Sequence, residues 1–232
     1  MLARSLFTAV VLALGACATP FISPATSPDV PATGEWHAVQ LPGKASTRYE
    51  REHKDGRAAW CATSERSASM WRRHVTVAAT RVAEVSFSWW VHDIIVNANV
   101  AEASFEDAPA RVMFAFGGDI RSLPARTRML FDLAEALTGE RPPYATLAYV
   151  WDATAPVGTV IINPRSDRIR KIVVDSGALN VRQWRDHRRD LAADFRLAFG
   201  EAPGPLTAIA LMTDSDNTQS SAQSWYGAVD LH

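Results

Sequence analysis

The segment TDSDNT, residues 213–218, sets two carboxylates, one carboxamide and three hydroxyls within six residues. It follows the apolar run AIALM and precedes the polar run SSAQS. Asp214 and Asp216 stand two apart, so on an extended chain they share a face. Asn217 adds a carbonyl oxygen. Such oxygens suit a hard cation: calcium takes roughly six to eight of them from carboxylates, amides and backbone. One loop cannot supply that number. Asp107 in FEDAP, its neighbour Glu106, and Asn97 or Asn99 are the residues placed in other loops to complete it. The EF-hand pattern is absent, with no glycine at the required place and no closing glutamate. The same residues also fit a loop that reads a ligand's hydroxyls, or an Asx-rich turn that bonds its own backbone. All three readings stand at this level.

A second set of groups is aromatic and cationic. In VSFSWWVHD, residues 85–93, Trp89 and Trp90 point to opposite faces of a strand. One belongs to the core. Trp90, with His92, then offers a platform on which a sugar ring or another flat ligand would stack, unless a further layer covers that face. Arg111 is placed to pair with Asp107 or Asp119, or to read an anion or hydroxyl. His187, Asp190 and Asp194 have the spacing of metal ligands on a helix. Arg185, Arg188, Arg189 and Arg196 surround them, however, and such a mixed face is ordinarily solvated and laced with weak ion pairs. Cys61, in AAWCA, reads as a buried, inert thiol. Sequence signatures of a nucleophile elbow, a zinc protease, a thiol-redox pair, a P-loop and a dinucleotide site are all missing. Two carboxylates such as Asp107 and Asp214, or His92 with Tyr144 or Tyr149, would need no signature. The chain therefore leaves catalysis open.

These groups need a scaffold, and most of the chain reads as strands. Residues 47–53 and 57–63 flank Lys-Asp-Gly and predict a tight hairpin. Residues 85–93 alternate, with Val85, Phe87, Trp89 and Val91 on one face. Residues 111–117 do the same with Val112, Phe114 and Phe116. Residues 37–41, 146–151, 159–163, 170–174, 207–212 and 225–231 are further strands, and Met70 in SASMWRRHV reads as inward-facing. Two helices are expected. One spans roughly 123–137, capped by Ser122, ended by Gly139, with Leu130, Leu133, Ala134 and Leu137 as its stripe. The other spans roughly 183–199, with Trp184, Leu191, Phe195 and Ala198 as its stripe and Gly200 closing it. About ten short strands with two inserted helices predict a mainly β fold: an antiparallel jelly-roll β-sandwich.

The first residues speak of location. MLARSLFTAVVLALGAC has an early cation, Arg4, and an apolar run over 6–14, too short for a permanent span of about 20 residues. It suits a secretory signal peptide, and its end, Leu14-Gly15-Ala16-Cys17, resembles a bacterial lipobox. The expected division is a lipoprotein signal peptide at 1–16, a Pro/Ser/Thr-rich tether at 17–34, and a single domain at 35–232. Cys17 would carry the acyl chains that hold the protein to the membrane. Ala18 in place of aspartate points to the outer membrane, facing the periplasm. With Cys17 lipidated, Cys61 has no disulfide partner. The formal net charge of −1 over 232 residues gives no global basic field for nucleic acid.

Several stretches together carry a resemblance: LPGKASTRYE, SASMWRR, SFSWWV, FEDAPARVMFAF, PYATLAYVW, RKIVVDSG and AFGEAPGPLTAIALMTDSDNT. In order and spacing they resemble the bacterial family called domain of unknown function 3047, over nearly all of residues 35–232. The resemblance implies export and no established activity. FEDAP departs from the pattern in having Glu106 where a first aspartate is expected. In outline the chain is also similar to galactose-binding-like jelly rolls, a topological likeness that does not fix function. The combined expectation is an envelope-anchored lipoprotein whose sandwich binds a ligand, a saccharide first of all, with a structural calcium ion at Asp214, Asp216, Asn217 and Asp107. A carbohydrate-active lyase or hydrolase on the same acidic cluster, or a scaffold in envelope assembly, are the alternatives.

Overall fold

The computed structural model describes residues 34–232. The expected signal peptide, the lipidation site Cys17 and the tether up to residue 33 lie outside the described residues. The strands are β1 (His37–Gln40), β2 (Arg48–Lys54), β3 (Arg57–Glu65), β4 (Ser69–Val77), β5 (Glu84–Val91), β6 (Ala108–Phe116), β7 (Ala145–Asp152), β8 (Val160–Asn163), β9 (Ser166–Ser176), β10 (Trp184–Asp190), β11 (Leu206–Asp214) and β12 (Ser221–Leu231). Two helices, α1 (Ala125–Thr138) and α2 (Leu191–Phe199), interrupt them. One sheet has seven strands in the order β1-β4-β11-β6-β7-β9-β8, and the other has five in the order β10-β5-β12-β3-β2. The result is a mainly β sandwich. Every pairing is antiparallel except β7 with β9, as a mainly antiparallel sandwich allows.

The period-two pattern explains the core. Val85, Phe87, Trp89 and Val91 of β5 face Val112, Phe114 and Phe116 of β6 and Leu147, Tyr149 and Trp151 of β7, and all are buried. Phe87 stacks on Tyr149 with ring centroids 5.4 Å apart. Burial of each such side chain contributes roughly 1.5–3 kcal/mol, before the entropy of ordering the chain is set against it. The β2–β3 hairpin turns at Asp55 and Gly56, both with positive φ, 49° and 79°. That is why Asp-Gly stands there.

The second helix was expected too long. Its first half is β10, which pairs with the edge of β5 from Trp184↔Trp90 to Asp190↔Glu84. Alternation, not a 3.6 period, is the pattern here: Asp186, Arg188 and Asp190 are exposed, while Arg185, His187 and Arg189 turn inward to buried acids. Asp175 accepts bonds from His187 and from Trp89 Nε1, each at 2.8 Å, and from Arg185 at 3.1 Å. Burial alone would raise the Asp175 carboxyl, but the bonds from His187 and Trp89 outweigh it and hold it below its ordinary value. Asp194 takes a two-pronged bond from Arg189 and a 2.7 Å bond from the Tyr149 hydroxyl. Asp190 caps α2 through Ala193 N–H. His187, Asp190 and Asp194 therefore serve three separate structural ends and form no metal site.

The first helix also differs. Pro124, not Ser122, occupies its N-cap, and Ser122 bonds Asp119 O in a preceding turn. Thr127 and Phe131 are its buried positions, while Leu130, Leu133 and Leu137 are exposed. Gly139 and Gly200 end the two helices in the left-handed conformation as expected, at φ 75° and 74°.

Candidate functional site

The side chains that alternate away from the core line a groove on the outer face of the seven-stranded sheet. Its volume is about 630 Å³. Alanines 115, 148, 208 and 210 and methionines 70, 113 and 212 form the floor. Met70, expected inward, therefore faces the groove. Glu140, Arg141 and Pro143 wall one end, and the other end is a charged network under the TDSDNT loop. None of the residues lining the groove is Phe, Tyr or Trp, and its one aromatic ring is the His74 imidazole.

The network is built from β6, β8, β9 and β11, the loops before β2, β6 and β9, and the loop after β11. Arg111 donates through Nε and one terminal nitrogen to both oxygens of Asp214, each at 2.9 Å, and the same terminal nitrogen reaches Glu106 O at 2.9 Å. Glu106 Oε1 lies 3.6 Å from the other terminal nitrogen of Arg111. The same oxygen accepts from Lys171 at 2.6 Å and Asn163 at 2.5 Å, while Glu106 Oε2 accepts from Arg165. Lys171 is 0 % exposed and also donates to Val100 O. Lys44 holds Asp216. Three acids (Glu106, Asp214, Asp216) thus pair with four cations (Lys44, Arg111, Arg165, Lys171), with Asp107 beside them. Arg111 pairs with Asp214 and Glu106, not with Asp107 or Asp119 as its position suggested.

The TDSDNT loop is fastened from within. Asp107 Oδ1 accepts from Asn217 N–H and from its carboxamide, each at 3.1 Å. Its Oδ2 accepts from Thr218 N–H at 2.7 Å and Thr218 Oγ1 at 2.6 Å. The hydroxyl of Thr213 bonds Pro109 O, and Ser215 Oγ meets Ser64 Oγ. Asp107, Asp214 and Asp216 lie close enough for one oxygen of each to touch a common metal ion. Each carboxylate already carries protein donors, and the cations among them supply the positive charge a metal would bring. Asn99 bonds Glu102 and Asn97 is exposed, so neither completes an ion shell.

Burial dominates the proton affinities here. It pushes Asp214 up to about 7, against the pull of Arg111 and with the charge of Asp107 adding to the rise. Burial, then the Arg111 charge, brings Lys171 down to about 8, with Glu106 opposing. An acid raised from 3.8 to about 7 keeps its proton in the folded state after the unfolded chain has released it. Its contribution to stability is therefore fully present below about pH 4 and is lost as pH rises to 7. The melting temperature of the wild type, minus that of Asp214→Asn, is expected to fall across this window in a pH series. A difference that rises instead would mean Asp214 is ionised throughout.

Trp90 and His92 are not at this groove. Trp90 faces outward from the five-stranded sheet, is 5 % exposed, and packs with Ala59, Cys61 and Trp225. The Lys54 ammonium sits 3.8 Å from its ring centroid and 4.6 Å from that of Trp225. His92 is exposed at the end of β5, with its ring centroid 6.1 Å from that of Trp90. The open platform is thus closed by the protein's own lysine. Tyr149 is in the core and Tyr144 bonds Glu201, so neither joins His92. Cys61 is buried, with its thiol pushed up by burial, as an inert cysteine should be.

Asp107, Arg111, Asp214, Asp216 and Asn217 do come together. Sequence reasoning missed Lys44, Asn163, Arg165 and Lys171. Lys171 had a signal, a lysine flanked by the apolar run IVV in a strand of the sheet's interior, but its partner lies 65 residues away. Fold and site together define a β-sandwich with a charged-ended groove on its larger sheet. Residues 34–230 match the family described as protein of unknown function, DUF3047, and the chain belongs to that family. No curated protein matches it.

Proposed function

We propose that the protein is an exported lipoprotein, held to the cell envelope through Cys17 and facing the periplasm from the outer membrane, and that its sandwich binds a ligand in the groove. One observation carries the binding reading: a concavity of about 630 Å³ whose apolar floor ends in convergent polar groups. Small-molecule sites have this size and this division of labour. The envelope placement rests on the N-terminal sequence alone. Among ligands, a saccharide is favoured by the mixture of donors and acceptors at Lys44, Arg165, Asp216 and Asn217, and disfavoured by a floor without Phe, Tyr or Trp. A calcium ion at Asp107, Asp214 and Asp216 would require Lys44 to leave and the Arg111 fork to open. The catalytic alternative has its own support in Asp214 and Lys171, two buried groups brought towards neutral pH in one groove.

Thermal unfolding tests the reading. A ligand present at about 100 times its Kd adds about 2.7 kcal/mol to the folded state. Envelope oligosaccharides, amphiphiles and calcium are to be compared with chelator; calcium is expected to leave the melting temperature unchanged. Cys17→Ser is expected to move the protein from the membrane fraction to the soluble periplasm. Retention in the membrane would remove the lipid-anchor reading.

A further inference from the structure

Across the groove floor, His74, Ala208, Ala115, Thr146 and Ile169 stand in one transverse row, paired in register from β4 through β11, β6 and β7 to β9. The row crosses four strand spacings, about 19 Å. A second row beside it runs Arg72, Ala210, Met113, Ala148, Lys171. Between their end residues the two rows carry only alanine, methionine and one threonine. Flat rings gain most by stacking on large aromatic faces, and this floor offers no Phe, Tyr or Trp, only the His74 imidazole at its end. Alanine lets a chain approach the sheet closely, and methionine moulds itself to a flexible aliphatic partner. Beyond Ile169 the path continues into a second cavity of about 730 Å³ between α1 and the β8–β9 hairpin. That cavity shares Ile169, Asn163 and Arg165 with the groove and adds Leu130, Phe131 and Ile162.

The charges specify the other half of the ligand. Six lysines and arginines line the groove against four acids, while the protein as a whole is −1. Arg141 is held by Glu135 and Asp132, outside the groove, which leaves five cations against four acids. At the network end every cation faces a buried carboxylate. At the opposite end Arg72 meets only Glu140, whose side chain is 53 % exposed, and Arg72 Nε is buried with no partner. His74 follows two residues along the same face. An anion arriving there can displace Glu140 into water without uncovering a buried charge.

We infer that the ligand is a single-chain amphiphile, a long aliphatic tail with an anionic head. The tail lies along the His74–Ile169 row towards the second cavity, and the head bonds Arg72 in place of Glu140. This rests on the groove being the binding site. Full-length protein carrying Cys17→Ser is to be titrated calorimetrically with hexadecanoate, lysophosphatidylglycerol, hexadecan-1-ol and maltohexaose. The first two separate a carboxylate head from a phosphate head, and at least one is expected to bind tenfold or more tighter than the alcohol. Ala210→Trp, or the milder Ala115→Leu if the first fails to fold, is expected to weaken amphiphile binding at least tenfold. Arg72→Gln is expected to abolish the preference for the anion while leaving the alcohol's affinity unchanged. Absence of amphiphile binding overturns the inference. Maltohexaose binding that a floor variant blocks overturns the ligand class and leaves the groove standing. Amphiphile binding that neither floor variant weakens overturns the groove as well.

Discussion

Arg111→Met is expected to cost about 3–5 kcal/mol of folding stability, the usual penalty for breaking a buried ion pair from one side. Asp214 would keep its place in the protein with its two-pronged partner gone, and Glu106 would lose one of its three nearby positive charges. Methionine fills much of the arginine volume, so the loss reports charge more than packing. Urea unfolding of the single variant and of Arg111→Met with Asp214→Leu separates the two. The double variant is expected to be more stable than the single one, because it buries no orphan carboxylate. A single-variant loss below about 1 kcal/mol, the range of an exposed pair, would show that water reaches the network and that the groove end is softer than its hydrogen bonds suggest.

The second large effect is expected at Asp107→Ala, at about 2–4 kcal/mol. Four donors converge on this carboxylate, two of them backbone N–H groups, and hydrogen bonds to charged groups are worth about 1.5–3 kcal/mol each before relaxation and rehydration. Asp107→Asn is expected to recover little of the loss, since one side of a carboxamide would present N–H to N–H. Amide exchange should reveal the location: Asn217 and Thr218 lose protection while β5 and β7 keep theirs. Unaltered protection at those two amides would mean that the loop is held by its other bonds.

Both predictions concern residues that the sequence had already brought into view, and the reason is local. Asp214, Asp216 and Asn217 sit in a polar island between strands, and Asp107 and Arg111 flank the start of a strand with clear alternation. Alternation likewise made the inner faces of β5 and β6 legible, since period two is a property of neighbouring residues. What escaped was long-range. Glu106 meets Lys171 across 65 residues and Lys44 meets Asp216 across 172, and nothing in either neighbourhood announces the other. Trp90 misled for a related reason: its strand exposes it, but Lys54 on a separate strand covers it. The stretch 184–190 misled through composition, because an arginine-rich segment leading into a genuine helix has the residues of a helix and the burial of a strand.

That same stretch has a consequence for how the protein survives in company. β10 and β2 are the two outer strands of the five-stranded sheet, and they read WRDHRRD and RYEREHK. An unpaired strand edge is a template for another chain, and natural sheets guard it with charge. Here both edges are guarded by dense charge of both signs. A second copy pairing along either one would have to desolvate arginines and acids in a register it does not control. For a protein concentrated on a membrane surface, as proposed above, these strands disfavour pairing of crowded neighbours through the five-stranded sheet.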